Sequence, residues 1–335
     1  MKKSLSLIIG IFLVIIFFLI FKLPLIKTSI LTSIRFCIRN LIPAILPLSV
    51  TCNFFALTLT SDPNLDISKK YRFRTVLGWI GGYPSGAGLI KSCPLGNENT
   101  IREICLISCG SAGYILHIIG ISLCQSPLFG ICLYLSQILF SALTAPPKSC
   151  VLQMPISKSV LGKPKVFPHF AQAIGHTAET MISLSSFTVV FSALSDLIAT
   201  IFPFPHSQEL FRILFEFATG GQLIWSAFSR PLALLLIGFS VGFGGLSIHA
   251  QIYCATAELI ESYAPILLRK VQCGILTGIF SFLFFRSAIL GFLFCLMMVF
   301  VSAIKKEYSK NKKSSKCVDE PPTRWYNKLK GMVSI

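Results

Sequence analysis

The sequence predicts an all-α, polytopic integral membrane protein with about eight transmembrane helices plus two re-entrant hairpins in inverted repeats. Three observations predict it. The 335 residues are 53% hydrophobic and 13% charged, with mean hydropathy +0.74, so charges are too few to cover a soluble surface. Apolar runs about as long as a bilayer core is thick recur along the chain. Two shorter apolar segments carry glycine in corresponding positions of the two halves, a pattern of broken membrane helices.

The first apolar run, about Leu5 to Leu25, follows Met1-Lys2-Lys3. It is longer than a signal-peptide core and no small-residue cleavage site follows, so an uncleaved span is expected. Seven further spans are expected at about 38–60, 103–124, 127–145, 178–203, 231–255, 264–285 and 288–304. Arg286 would sit in a very tight turn between the last two. Segments 76–90 and 213–226, about 15 residues each, would reach only ~22 Å as helices against a ~30 Å hydrocarbon core. They read as hairpins that enter and leave the membrane on one side.

The chain divides accordingly. Residues 1–37 hold the first helix and a connection, 38–145 the first repeat, 146–177 a cytoplasmic linker and 178–285 the second repeat. The last span is 286–304, and 305–335 form a basic cytoplasmic tail, expected to be mostly disordered and to touch anionic lipid. With the N-terminus in the cytoplasm, 23 of the 30 Lys and Arg fall inside and seven outside. The positive-inside rule therefore puts both termini in the cytoplasm, in the cell (cytoplasmic or inner) membrane. Lys69, Lys70, Arg72, Arg74 and Lys270 count as inside loop charges, and Arg212 as outside.

Several functions are excluded. The net charge of +17 comes from loops between apolar runs, with no basic face interleaved with aromatics, so nucleic acid is not a partner. The twelve cysteines contain no Cys-x-x-Cys and lie mostly in apolar segments; they read as small apolar residues, not as disulfides or zinc ligands. No Gly-Lys-Ser/Thr follows the glycines, so they form no phosphate loop. No nucleophile–base pair or carboxylate dyad stands out. Neither an enzyme nor a cofactor nor a metal is expected.

Aligning the halves reveals a weak repeat. A span, then "GGYPSGAGLI", then "SCGSAGYILHIIG" in the first half match a span, then "EFATGGQLI", then "GFGGLSIHAQIY" in the second. Glycine allows a tight turn, and proline removes a helix donor. The freed backbone groups must be buried in protein or line a wet cavity. A site for a polar ligand is one reading of these glycines; close helix packing is the other.

These motifs, with "REICLISCGSAGYILHIIG", "LFEFATGG" and "GFGGLSIHAQI", resemble the nucleoside transporter/FeoB GTPase Gate domain superfamily, most of all its sporulation integral membrane protein branch. The resemblance covers about residues 38–285, making the two repeats Gate-like. It implies relatedness to the gates of nucleoside and ferrous-iron transporters. It also implies a substrate- or ion-binding set of Gly82, Tyr83, Pro84, Gly86, Glu216, Thr219, Gly220, Gly245, Ser247, His249 and Gln251, with Leu246 beside it; Ser111, which stands where the family has an amide, joins the set. The family commonly has two asparagines and a Gly-Pro where this chain reads Cys109-Gly110-Ser111-Ala112-Gly113-Tyr114.

Glu216 reads as a ligand for a coupling cation or a sugar hydroxyl, or as an interfacial carboxylate one turn from Arg212. His249 reads as a cavity residue or an interhelical hydrogen-bond partner. In a continuous helix it would point about 200° away from Gln251. Asp196 and Glu179 are expected near the outer and inner boundaries. The function expected is secondary transport of a small polar solute, nucleoside-related, by alternating access at a midplane site with proton or sodium coupling. The rivals are a membrane scaffold in envelope assembly or sporulation, and a partner-dependent gate component. The expected partners are the bilayer, a small polar solute, a coupling cation and a second copy of the chain.

Overall fold

A computed structural model describes residues 23–61, 67–91, 97–147 and 166–318. The described residues form helices, turns and short irregular links, with no strand among them. Most of the expected first span, the Lys158–Lys165 stretch and the end of the tail lie outside the described residues.

The chain enters as one rod made of Leu23–Phe36 (α1), a wider turn at Cys37–Leu41 and Ile42–Ser61 (α2). Pro43 accounts for the wide turn. It has no N–H to give Arg39, and its ring excludes that carbonyl, so the preceding turn relaxes to π spacing, with the Ile42 N–H bonded back to the Cys37 carbonyl. The boundary expected at residue 37 thus falls inside a helix rather than at a connection.

Next come Ile67–Gly81 (α3) and Tyr83–Lys91 (α4), interrupted at Gly82, then Asn97–Ile107 (α5) and the π-type helix Tyr114–Leu123 (α6), interrupted at Ser108–Ser111. Pro127–Thr144 (α7) closes the first half. The second half repeats the order. The rod Val166–Ile201 (α8) is followed by Ser207–Phe215 (α9) and Phe217–Ala227 (α10), interrupted at Glu216. Arg230–Phe243 (α11) and Gly245–Thr256 (α12) are interrupted at Gly244, and Ala264–Arg286 (α13) follows. Last is Ala288–Val318 (α14), joined through the single extended residue Ser287.

Three expectations change. The spans at 103–124 and 231–255 are each two helices, because Ser108–Ser111 leaves the helical path and Gly244 has φ +98°. The linker 146–177 is helical from Val166. The tail continues α14 to Val318, since no proline or glycine interrupts 305–318 and its lysines are good helix formers.

Five helical stretches among the described residues are long and apolar enough to cross a membrane: Ile26–Leu59, Pro127–Thr144, Val166–Ile201, Arg230–Leu259 and Ala264–Arg286. Their outward faces carry exposed Ile38, Leu128, Ile182 and Val190, and α14 exposes Ile289, a surface that suits lipid and not water. The chain is built as a multi-pass membrane protein.

Helices α11 and α13 pack closely along their length. Gly242 on one meets Gly274 on the other, while Gly238 lies against Thr277 and Ser281, and Gly278 against Leu235 and Phe239. A Cβ at Gly242 would stand 2.7 Å from the Cys273 carbonyl, and one at Gly278 would stand 2.8 Å from the Leu235 carbonyl. Helices in lipid gain by such backbone approach, since their apolar side chains lose nothing by facing the tails. Elsewhere polar side chains join the rods, as where the half-buried Asn53 Nδ2 donates to Thr177 Oγ1 at 2.9 Å.

Candidate functional site

The four interruptions meet. At Gly82 φ is +79°, and a Cβ there would stand 2.5 Å from the Ser111 Cα and N, so the first and second breaks touch backbone to backbone. Glycine alone fits both the conformation and the space. A Cβ on Gly245, φ +72°, would lie 3.3 Å from Phe217 N, which brings the fourth break against the third.

The two halves then interlock. Tyr83, the residue after the first break, donates its hydroxyl to the Val241 carbonyl at 2.8 Å, near the end of α11. Tyr114, just past the second break, donates to the Ala218 carbonyl at 3.2 Å, in the first turn of α10. Gln137 Nε2 also donates to the Val241 carbonyl, at 2.7 Å. The break at Gly244 leaves the last carbonyls of α11 without helical partners, and Tyr83 and Gln137 from the opposite half answer the one at Val241.

Glu216 is 1% exposed and caps α10. Its Oε1 accepts from Ala218 N at 3.1 Å, and its Oε2 accepts from Thr219 N at 2.7 Å and Thr219 Oγ1 at 2.6 Å. Three of roughly four acceptor positions on the carboxylate are thereby used, and the negative charge lies at a helix N-terminus, where it is favoured. Arg212 pairs instead with Asp196, which also accepts from Ser29 Oγ and from Gln208 Nε2. Asp196 is buried, not interfacial as its place near a span end suggested, because α9 folds back over the end of α8 and brings Arg212 to it. Glu179 is exposed.

The crossing is closed by aromatics. Phe217 packs edge-on against Tyr83, centroids 5.9 Å apart, and against Tyr114 at 4.9 Å. A small cavity of about 20 Å³ remains beside them, bordered by Ser111, Glu216, Leu41, Ile45, Leu184 and Ile248 among others. That admits one water.

Of the residues expected at a site, Tyr83, Ser111 and Glu216 border this cavity, and Gly82, Thr219 and Gly245 adjoin it through the contacts above. Ser111 Oγ accepts from Tyr114 N at 3.2 Å and so restarts the helix after its break. Pro84 lies in the first turn of α4. Gly86 and Gly220 serve close packing, with a Cβ at 3.1 Å from the Ile107 carbonyl and 2.7 Å from Ile213 Cα respectively. His249 stands apart, its Nδ1 2.8 Å from the Tyr263 hydroxyl and its ring against Phe243. Helix α12 runs unbroken through His249 and Gln251, so the two do not converge. Ser247 Oγ, His249 Nε2 and Gln251 Nε2 are buried without partners.

Sequence reasoning missed Phe217, Gln137 and Lys270. Lys270 was expected among loop charges but is 1% exposed. Its ammonium donates to the Ser108 carbonyl and lies 5.8 Å from the Tyr83 ring. Position offered a signal: Lys270 falls seven residues into an apolar helix. Compared with known protein families, curated proteins and solved structures, the chain matches none.

Proposed function

We propose that the protein is a secondary transporter of a small polar solute, nucleoside-related, working by alternating access where the four helix breaks cross. One observation carries this reading: each half has two interrupted helices, and all four interruptions come to a single crossing. Inverted-repeat transporters hold cargo at such a place, where unwound backbone lines the site. The resemblance of the motifs at these same breaks supports it. In the membrane the chain makes eight spans and two re-entrant hairpins, the second half inverted relative to the first. Both termini face the cytoplasm, as the excess of Lys and Arg on that side favours.

On this reading the aromatic cluster is the closed gate. Tyr83, Tyr114 and Phe217 leave room for one water, so cargo enters when the two halves rock apart and the Tyr83–Val241 and Tyr114–Ala218 bonds open. The filled centre also favours a second reading, a scaffold of envelope assembly in which the crossing is only a core.

Reconstituted vesicles separate the two. Uptake is measured for a panel of nucleosides and other polar solutes under imposed sodium or proton gradients, with protein-free vesicles as control. Transport predicts uptake above control for at least one solute. Folded protein that carries none of the panel under either gradient sinks the transporter reading and leaves the scaffold.

A further inference from the structure

Lys270 holds a position that needs explanation. It is a fully buried ammonium in the middle of an apolar bundle. The ion pairs among the described residues are Arg74–Glu103, His206–Glu209 and Arg212–Asp196, so no carboxylate among them faces it. Burying a charge without an opposite charge is costly, and an apolar side chain of the same length is ordinarily neutral or better.

The backbone around it supplies the reason. Where α5 ends, its last carbonyls lose their helical partners. The Leu106 carbonyl accepts from Trp79 Nε1 at 2.9 Å and the Ile107 carbonyl from Cys109 N at 2.9 Å. The Ser108 carbonyl accepts from Lys270. Beside this break the Gln137 Oε1 is buried without a donor, and a Cβ on Gly110 would lie 3.5 Å from it. The Tyr83 ring face adds a third electron-rich surface. A helix C-terminus, a free amide oxygen and the unwound Ser108 carbonyl form the kind of surface at which sodium-coupled carriers hold their ion.

We propose that Lys270 is a tethered cation: its ammonium fills, within the chain itself, the place a coupling metal ion would take at the second helix break. The consequence for the transport reading, on which this part rests, is a cycle that needs no sodium or potassium. The structural claim stands or falls separately, because its readout is stability and not uptake.

The test compares wild type with Lys270→Arg, Lys270→Met and Lys270→Ala. Thermal unfolding is followed in detergent with choline, sodium or propylammonium chloride at one ionic strength. Propylammonium has the atoms that Lys270→Ala removes. Wild type should show the same midpoint in all three salts. Lys270→Met should melt at least about 4 °C lower, and Lys270→Arg should lie between it and wild type. Lys270→Ala should be raised by sodium or propylammonium relative to choline. A Met variant as stable as wild type or more so overturns the proposal, since that is what a passively buried charge predicts. So does an Arg variant as damaged as the Met variant, or an Ala variant indifferent to all three salts. If the Ala variant does not fold, the Arg-to-Met comparison decides alone. Uptake failing while these shifts hold would remove the transporter reading and leave the tethered cation.

Discussion

At the scale of the residue, burial separates side chains that looked alike in the sequence. Glu216 was legible as special, because a carboxylate beside Thr-Gly-Gly in an apolar stretch demands a partner. Its partner was not legible: it caps the helix that begins at Phe217 and leaves Arg212 to Asp196. Replacing Glu216 by Gln keeps the shape but removes the charge and one of the two acceptor oxygens. It should cost about 1.5–3 kcal/mol of stability, read as a lower thermal or denaturant midpoint; an unchanged midpoint would show that the cap contributes nothing. Asp196 is the sharper case. Sequence position near a span end suggests a wet carboxylate whose loss matters little. In the fold Asp196 and Arg212 are both nearly inaccessible, and removing one strands the other. Asp196→Ala should cost about 3–5 kcal/mol, while replacing both by apolar residues should recover much of that loss. A near-neutral single variant in the same unfolding assay would contradict the pairing. Lys270 was misread for a related reason: counting charges by loop assumes that charges lie in loops.

Among the elements, the breaks matter more than the helices. Two of the four, Gly82 and Glu216, were legible as interruptions, since their short apolar segments carry glycine. The other two were not, because Ser108–Ser111 and Gly244 lie inside runs of span length, and hydropathy averages over a kink. The wide turn at Cys37–Leu41 was likewise hidden, although Pro43 is its signature. Gly82→Ala should be among the most damaging single changes, by about 2 kcal/mol or more, because the new methyl meets both a left-handed conformation and the Ser111 backbone. Gly175→Ala in α8, where a Cβ meets nothing within 4 Å, should be neutral or stabilising by up to ~1 kcal/mol. Midpoints measured side by side check the contrast; equal tolerance would mean that the first break is not a backbone crossing.

For the whole molecule, the all-α class with apolar helices could be read from composition and period, while the closure of the centre could not. Periodicity says which face is apolar, but not that Tyr83, Tyr114 and Phe217 from three different helices converge. The inversion proposed above predicts opposite sidedness for two exposed positions, Lys69 and Gln208. Single cysteines there, on a cysteine-free background, should react with impermeant reagent only from the cytoplasmic face and only from the outer face respectively. Labelling of both from one face would undo the inversion. The interlock between the halves also bears on how the chain is made. Tyr83 and its acceptor at Val241 are 158 residues apart, and Tyr114 and Ala218 are 104 apart. At a synthesis rate of ~5–20 residues per second, the first half waits about 8–30 s for the second. Through that interval two hydroxyls destined for burial have no acceptor, and the unwound Ser108 carbonyl awaits an ammonium still inside the ribosome. The first half therefore enters the bilayer as an unfinished object, and a ribosome that stalls before residue 217 leaves it with its broken helices open to whatever polar group comes first.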